Sequence, residues 1–283
     1  MQIFDGFAPL TLSPWFAVGL LLLALAALTG PAVWRRLRRA LLLRQPFPAT
    51  WRRILRRRMP YYARMPADLQ ERLRRQAQLL LAEKPFIGCA GLRISDEMRV
   101  LIAAQAALLL LGGDKGGFAN LREVLVYPGA FVVDRTLPDE AGLQRDQRRV
   151  HAGESWQRGQ VILSWDDVLR GATDPTDGDN VVIHEFAHQL DQQRGTASGA
   201  PFLGHRDRYP AWAAAFGAAY AEVRQREAQG EHTLIGAYGA SAPAEFFAVA
   251  SERFFERPDA LQTAHPALYR ELATYYGVDP LSW

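Results

Sequence analysis

The chain has 283 residues, a net charge of +3 at neutral pH and 49% hydrophobic residues, enough apolar material to bury a sizeable core. Its one cysteine, Cys89, excludes an internal disulfide framework and a zinc site built from cysteines. The sequence shows no internal repeats and no low-complexity tracts. This composition indicates a single globular domain with an appendage.

An uncharged apolar run at residues 15–34 has about the twenty residues needed to cross a bilayer. Residues 35–75 then hold fourteen arginines against two acids, whereas residues 76–283 carry a net charge of −8. A signal peptide would have its basic residues before the apolar run, and here they follow it. Because basic flanks stay on the cytoplasmic side, we expect a single-pass helix in the inner (cytoplasmic) membrane with the following domain in the cytoplasm.

The arginine-rich segment at residues 35–59 is predicted to be juxtamembrane. It could lie along anionic lipid with an apolar side made of Trp34, Leu37, Leu41, Trp51, Ile54 and Leu55. Nucleic-acid binding is the alternative for such a run, but the adjacent span explains it more simply, and no direct nucleic-acid partner is expected. The chain therefore divides into residues 1–34, 35–59 and a folded domain at 60–283.

Hydrophobic spacing in the folded domain predicts mostly helices. We expect helices at residues 69–81, 100–111, 181–191, 211–227, 238–258 and 266–276, and strands at 124–127, 131–133 and 160–164. Residues 174–180, DPTDGDN, have the composition of a loop that ends in a helix N-cap. The predicted class is a mainly helical α+β domain with a small sheet.

The run VVIHEFAHQLD, residues 181–191, contains an HExxH pattern. In a helix the four-residue step places His184 and His188 one turn apart on one face, where each can offer a ring nitrogen to a zinc ion. Glu185 would lie beside the metal, where it can take a proton from water and pass it to a leaving amine. This division of roles is typical of metallopeptidases, and the alternative is two partly buried histidines on an ordinary core helix.

A catalytic zinc site typically has three protein ligands. The positions where a longer HExxH pattern would add glycine and a third histidine hold Asp191 and Arg194. His205 and His232 remain, but both lie in connections without a helical or strand pattern. A carboxylate on a second helix is the better candidate.

That second helix is predicted at residues 238–258, YGASAPAEFFAVASERFFERP. Glu245, in its first turn, is our third metal ligand, and Tyr238, seven residues earlier, is our transition-state donor. Glu252 follows Glu245 by seven residues on the same apolar face and could orient a histidine. The alternative is a glutamate of the capping region and a loop tyrosine.

Four segments resemble the Mlc titration factor A family of zinc-dependent peptidases: HEFAHQLD, YGASAPAEFFAV, IAAQAALLLL and VLVYPGAFVV. The resemblance covers about residues 60–280. It implies a zincin-like peptidase domain in which His184, His188 and Glu245 bind Zn²⁺. It also implies that Glu185 is the general base and that Tyr238 lies at the site.

The resemblance further implies a peptide or protein substrate and a possible Mlc-like transcriptional repressor as partner. Members of the family are associated with binding the glucose repressor Mlc, so a non-catalytic zinc-containing protein that titrates a repressor is the alternative function. An intact Glu185 favours chemistry, because a pure binder needs no base beside the metal. In the commoner gluzincin pattern the fourth residue after the ligand glutamate is an acid. Here that residue is Val249. The partner of His184 is therefore open between Asp191 and other residues, and Asp191 could equally be a solvated helix end.

Overall fold

The computed structural model describes residues 14–113, 117–129 and 159–283. The chain separates into two compact units, Met1–Pro46 and Phe47–Trp283. The strand predicted at residues 131–133 lies outside the described residues.

The first unit contains helix α1 (Pro14–Arg44), which includes the predicted apolar run and continues through several arginines. Within the described part of the chain, Val18–Arg44 is the segment long and apolar enough to cross a membrane, with a mean hydropathy of 1.7 and none of it buried. The exposed side chains of α1 include Trp15, Leu21 and Leu28. The length and composition of this segment therefore permit a membrane span. The apolar segment of a signal sequence has similar length and composition.

The second unit is mainly helical. Its helices are α2 (Ala49–Arg58), α3 (Pro60–Arg64), α4 (Ala67–Glu83), α5 (Asp96–Leu108), α6 (Trp165–Thr173), α7 (Val181–Asp191), α8 (Tyr209–Ala228), α9 (Gly236–Gly239), α10 (Pro243–Glu256), α11 (Pro258–Ala264) and α12 (Pro266–Tyr276). Every segment predicted to be helical contains a helix, which confirms the mainly helical class. The helix predicted at residues 238–258 is divided, because Ala242 is extended with φ −153° and Pro243 begins α10.

Three parallel strands form the small sheet, in the order β1 (Phe86–Gly88), β2 (Glu123–Tyr127) and β3 (Gln160–Ser164). In the central strand Val124 pairs with Phe86 on one side and with Val161 on the other. Buried and partly exposed residues alternate along β2, so one face of the sheet packs on the core. The predicted strands at 124–127 and 160–164 are thereby confirmed.

Helix α2 belongs to the second unit and packs against its core. Leu55 is fully buried, and Trp51 and Ile54 pack against the core. Arg58 Nε donates to Glu97 Oε1 in the first turn of α5 at 2.5 Å. The interpretation of Leu55 as a lipid-facing residue is therefore wrong, because this side of α2 covers α5.

Helix α7 lies in the core and packs against α5 and α10. All of its residues from Val182 to Asp191 are buried. Phe186 meets Phe118 edge to face with ring centroids 4.7 Å apart. Apolar packing on most sides fixes the helix that carries both motif histidines.

Candidate metal centre

Asn180 fixes the start of α7. Its Oδ1 accepts hydrogen bonds from the backbone nitrogens of Val182, at 3.1 Å, and Ile183, at 3.0 Å. This is the N-cap predicted from the loop composition, and it stabilises the first turn of the helix. His184 and His188 follow one turn apart, with ring centroids separated by 4.9 Å.

The loop at residues 196–204 follows α7 in the chain and passes beside the start of α10. Asp191 Oδ2 accepts from the backbone nitrogens of Ser198, at 2.8 Å, and Gly199, at 2.7 Å. Gly199 has φ +76°, and a Cβ there would lie 2.4 Å from the carbonyl oxygen of Pro243. Only glycine fits where the loop passes this close to α10.

Asp191 is thus neither the partner of His184 nor a solvated helix end. Its side chain is buried and is used to hold the loop. Burial raises the pKa of this carboxyl, although hydrogen bonds from backbone nitrogens of the loop oppose the rise.

Three side-chain atoms converge between α7 and α10. His184 Nε2 lies 3.2 Å from His188 Nε2 and 3.1 Å from Glu245 Oε2, and His188 Nε2 lies 3.6 Å from the same carboxylate oxygen. Two ligands held about 2.0–2.1 Å from a tetrahedral zinc ion are about 3.3 Å apart, so the spacing suits one ion. His205 and His232 are exposed and do not belong to this group.

Glu252 is the hydrogen-bond partner of His184. The Nδ1 of His184 donates to Glu252 Oε1 at 2.7 Å, which leaves Nε2 as the ring nitrogen that faces His188 and Glu245. Val249 lies where the commoner pattern has an acid, and Glu252, three residues further along the same helix, is the acid that contacts His184. A carboxylate behind a histidine fixes the ring orientation and makes the ring a stronger donor to a metal.

Electrostatics in the cluster favour a positive charge at the point of convergence. Burial lowers the pKa of His184, but the Glu252 charge and hydrogen bonds to Glu245 and Glu252 outweigh it and raise this pKa to about 10. Burial dominates at His188 and lowers its pKa to about 4. Burial opposes ionisation of Glu245, yet its hydrogen bonds to the two histidines bring its pKa well below the usual value. The cluster combines two imidazoles with one carboxylate, a set of donors that a metal cation can bind.

The remaining predicted site residues are neighbours of this cluster. Glu185 follows His184 on α7, is buried, and helps to raise the pKa of His184. Tyr238, on α9, is half-buried, and its ring centroid lies 5.7 Å from that of His184 with the planes inclined by 35°. Arg253 Nε donates to the carbonyl oxygen of Leu234 at 2.9 Å, which attaches the segment before α9 to α10.

The residues missed by the sequence analysis are Gln105, Glu256 and the side chain of Asn180 in a role beyond capping. Asn180 Nδ2 donates to Gln105 Oε1 at 2.9 Å and to Glu256 Oε1 at 2.8 Å. Two signals could have found them. Gln105 is a lone polar residue within IAAQAALLLL, and Glu256 is a second acid four residues after Glu252 on an apolar helix.

A family model and several known proteins are similar to this chain over most of its length. The family model described as glucose-regulated metallopeptidase M90 matches residues 32–277. An uncharacterized protein of Synechocystis sp. is 39% identical over 263 residues, covering 93% of this chain and 96% of that protein. A protein named Mlc titration factor A from Yersinia enterocolitica is 35% identical, covering 83% of this chain and 87% of its own length. Its namesake from Enterobacter sp. is 36% identical, covering 79% and 84%.

The family model spans most of the chain, and the named relatives cover most of both sequences. The match includes α7, α9 and α10, which carry the converging side chains. The chain therefore belongs to the Mlc titration factor A family, the M90 family of glucose-regulated metallopeptidases.

Proposed function

We propose that this protein is a zinc-dependent peptidase with a zincin-like domain. The observation that carries the proposal is the convergence of His184 Nε2, His188 Nε2 and Glu245 Oε2 within 3.6 Å of one another. Membership of a metallopeptidase family supports it. We assign these three residues as the metal ligands.

The donor set suits zinc, since two imidazoles and one carboxylate form a common catalytic combination for this ion. Zinc bound there would supply Lewis acidity, which lowers the pKa of a water molecule and polarises a carbonyl group. The hydrogen bond from His184 Nδ1 to Glu252 Oε1, at 2.7 Å, holds the ring in the orientation that presents Nε2.

The protein side chains would then divide the hydrolysis between them. Glu185 takes the proton of the attacking water and later delivers it to the leaving amine, so the peptide bond breaks without a free amide anion. Tyr238 donates a hydrogen bond to the carbonyl oxygen as that oxygen gains negative charge. Glu185 is buried, so its electrostatic interactions are stronger than they would be in water.

A second candidate function follows from the name of the relatives, Mlc titration factor A. Under this alternative the chain binds an Mlc-like transcriptional repressor and does not cleave it, and the metal only stabilises the fold. The presence of Glu185 beside the metal ligands favours catalysis, because binding alone gives this residue no task.

We also propose that α1 anchors the protein in the inner membrane as a single span, with the catalytic unit in the cytoplasm. Exposed apolar side chains along α1 support the span, and the arginines that follow its apolar run support the orientation. Peptide substrates and any repressor partner would then be cytoplasmic.

The test couples metal analysis with a peptide-library cleavage assay on the purified full chain. We expect about one zinc per chain, cleavage that stops on chelation, and recovery when zinc is returned. Glu185→Gln keeps the size and the hydrogen-bonding shape but removes the base. We expect it to keep zinc and to lose cleavage by several orders of magnitude.

Glu231→Gln is the matched control, because Glu231 is an exposed acid that pairs with Arg226 on the surface. This variant should cleave like the parent. Cleavage by Glu185→Gln at the parental rate would remove Glu185 as the base. Zinc-loaded parent protein that cleaves no peptide but captures a repressor would favour the second function.

A further inference from the structure

A buried polar cluster lies on the Nδ1 side of His184. It contains Gln105 of α5, Asn180 before α7, and Glu252 and Glu256 of α10, all buried. Polar groups so deep in a core are costly unless they are hydrogen-bonded, so their arrangement is constrained. Each member contacts another member, and Glu252 connects the cluster to His184.

Asn180 is the centre of this cluster. Its backbone nitrogen donates to Glu252 Oε2 at 2.7 Å, and its Nδ2 donates to Gln105 Oε1 at 2.9 Å and to Glu256 Oε1 at 2.8 Å. Gln105 can only accept from Asn180, since its own Nε2 donates to two backbone carbonyl oxygens, one in α5 and one in α6. One residue thus caps α7 and holds both acids of α10.

The two acids have unequal surroundings. Glu252 accepts with both oxygens, one bond from His184 Nδ1 and one from the Asn180 backbone. Glu256 accepts one bond from a neutral amide, and its Oε2 is buried without a hydrogen-bond partner among the described residues. A second buried anion one helical turn from Glu252 would be poorly compensated and repelled by a like charge.

We propose that Glu256 is held as a neutral carboxylic acid, and that Asn180 and Glu256 are positioning residues which keep Glu252 in place as the hydrogen-bond partner of His184. The proposal rests on the proposed function in one respect, because it takes His184 to be a metal ligand. Beyond that function, it explains which residues orient Glu252.

The groups that face Glu256 are consistent with a neutral acid. Burial raises the pKa of Glu256 to about 9; the hydrogen bond from Asn180 opposes this rise, and the charges of Asp177 and Glu252 add to it. The charge of Arg253 lowers this pKa by the smallest amount, and its guanidinium is hydrogen-bonded to the loop at Gly178 and Asp179. Tyr61 of α3 also faces Glu256, and burial raises the pKa of that phenol well above its usual value, so it stays neutral beside the acid.

The first test uses the stability of the metal-free full chain in detergent, kept metal-free by chelator. An acid whose folded-state pKa is raised stabilises the fold least when it is forced to ionise, so the contribution of Glu256 falls as pH rises from about 5 to about 9. Glutamine has the shape of the neutral acid and does not titrate. The Tm of Glu256→Gln minus that of the parent should therefore grow across this interval.

A flat difference across that interval would mean that Glu256 ionises normally and would overturn the proposal. Failure of Glu256→Gln to fold would also overturn it, because a neutral group of the same shape should be tolerated. The infrared difference spectrum between parent and Glu256→Gln at neutral pH provides an independent readout. It should contain the carbonyl band of a protonated carboxylic acid, and carboxylate bands alone would contradict the assignment.

The second test measures zinc affinity by chelator competition. Glu256→Gln should bind zinc like the parent, whereas Asn180→Ser, which keeps a capping oxygen but loses the Nδ2 donor, should bind zinc more weakly, by less than the roughly tenfold to hundredfold usual for a residue bonded directly to a ligand. Equal affinity in Asn180→Ser and parent would remove the positioning role. If the parent itself binds no zinc, the proposed function fails, while the pH dependence of stability still decides the state of Glu256.

Discussion

Tyr238 is placed beside His184 by a short helix that is separate from α10. Its ring centroid lies 5.7 Å from that of His184. A phenol hydroxyl can donate a hydrogen bond to a developing oxyanion. Tyr238→Phe should therefore lower kcat by about tenfold to a thousandfold with little change in zinc content or KM.

Tyr269→Phe is a suitable control, because the Tyr269 hydroxyl donates to Asp279 and serves the fold. That variant should lose stability while its kcat per zinc-loaded molecule stays unchanged. Metal content, Tm and kcat measured on one preparation of each variant separate the two cases. An unchanged kcat in Tyr238→Phe would remove this residue from the catalytic group.

Sequence spacing was enough to predict some residues of the site but not others. The His184 to His188 step and the position of Glu245 on an apolar helix follow from local periodicity, and the structure brings these three together. The hydrogen bonds of Asn180 to Glu252 and Glu256 join residues 72 and 76 positions apart. Such pairs depend on how α7 and α10 pack, which periodicity alone does not determine.

At the scale of the element, helix α10 supplies a carboxylate to each of the two ring nitrogens of His184. Glu245 Oε2 lies 3.1 Å from His184 Nε2, and Glu252 Oε1 lies 2.7 Å from His184 Nδ1, two helical turns further on. Loss of a ligand removes a bond to the metal, whereas loss of an outer partner only loosens the ring. We therefore expect Glu245→Ala to strip zinc, and Glu252→Ala to lower zinc affinity by about tenfold to a hundredfold.

Chelator competition on both variants gives the order of the two effects. Glu231→Ala, which changes an exposed acid, should leave zinc affinity unchanged. A larger loss of affinity in Glu252→Ala than in Glu245→Ala would reassign the third ligand to Glu252. Circular dichroism on each sample shows whether α10 is intact.

Two elements show where sequence patterns mislead. The apolar residues at 238–258 read as one helix, but Pro243 forces Ala242 to be extended, and Tyr238 falls on a separate short helix. In α2 the arginines suggested a lipid surface for the whole segment, while Leu55 is buried against α5. Amphipathic spacing shows that a helix has an apolar side, but it does not show whether lipid or protein covers that side.

At the scale of the whole molecule, charge is divided unevenly along the chain. Residues 35–75 carry a net charge of +12, and residues 76–283 carry −8. Part of the positive charge belongs to α2, where Arg53, Arg56 and Arg57 are exposed while Leu55 is buried. The folded unit thus has its own basic surface, which can attract anionic lipid without α1.

Deletion of residues 1–34 separates the contributions of the apolar helix and the arginines. The deletion removes the uncharged run of α1, so the protein should leave the membrane pellet at moderate salt. Some attachment to anionic vesicles should remain at low salt and fade as salt screens the exposed arginines, since the Debye length falls to about 8 Å at physiological ionic strength. Replacing Arg53, Arg56 and Arg57 by glutamine in the deleted protein should weaken this remainder, while the arginines at residues 35–44 keep part of it. Full-length protein in the soluble fraction would contradict the anchor, and its cleavage by protease added outside intact cells would contradict the cytoplasmic orientation.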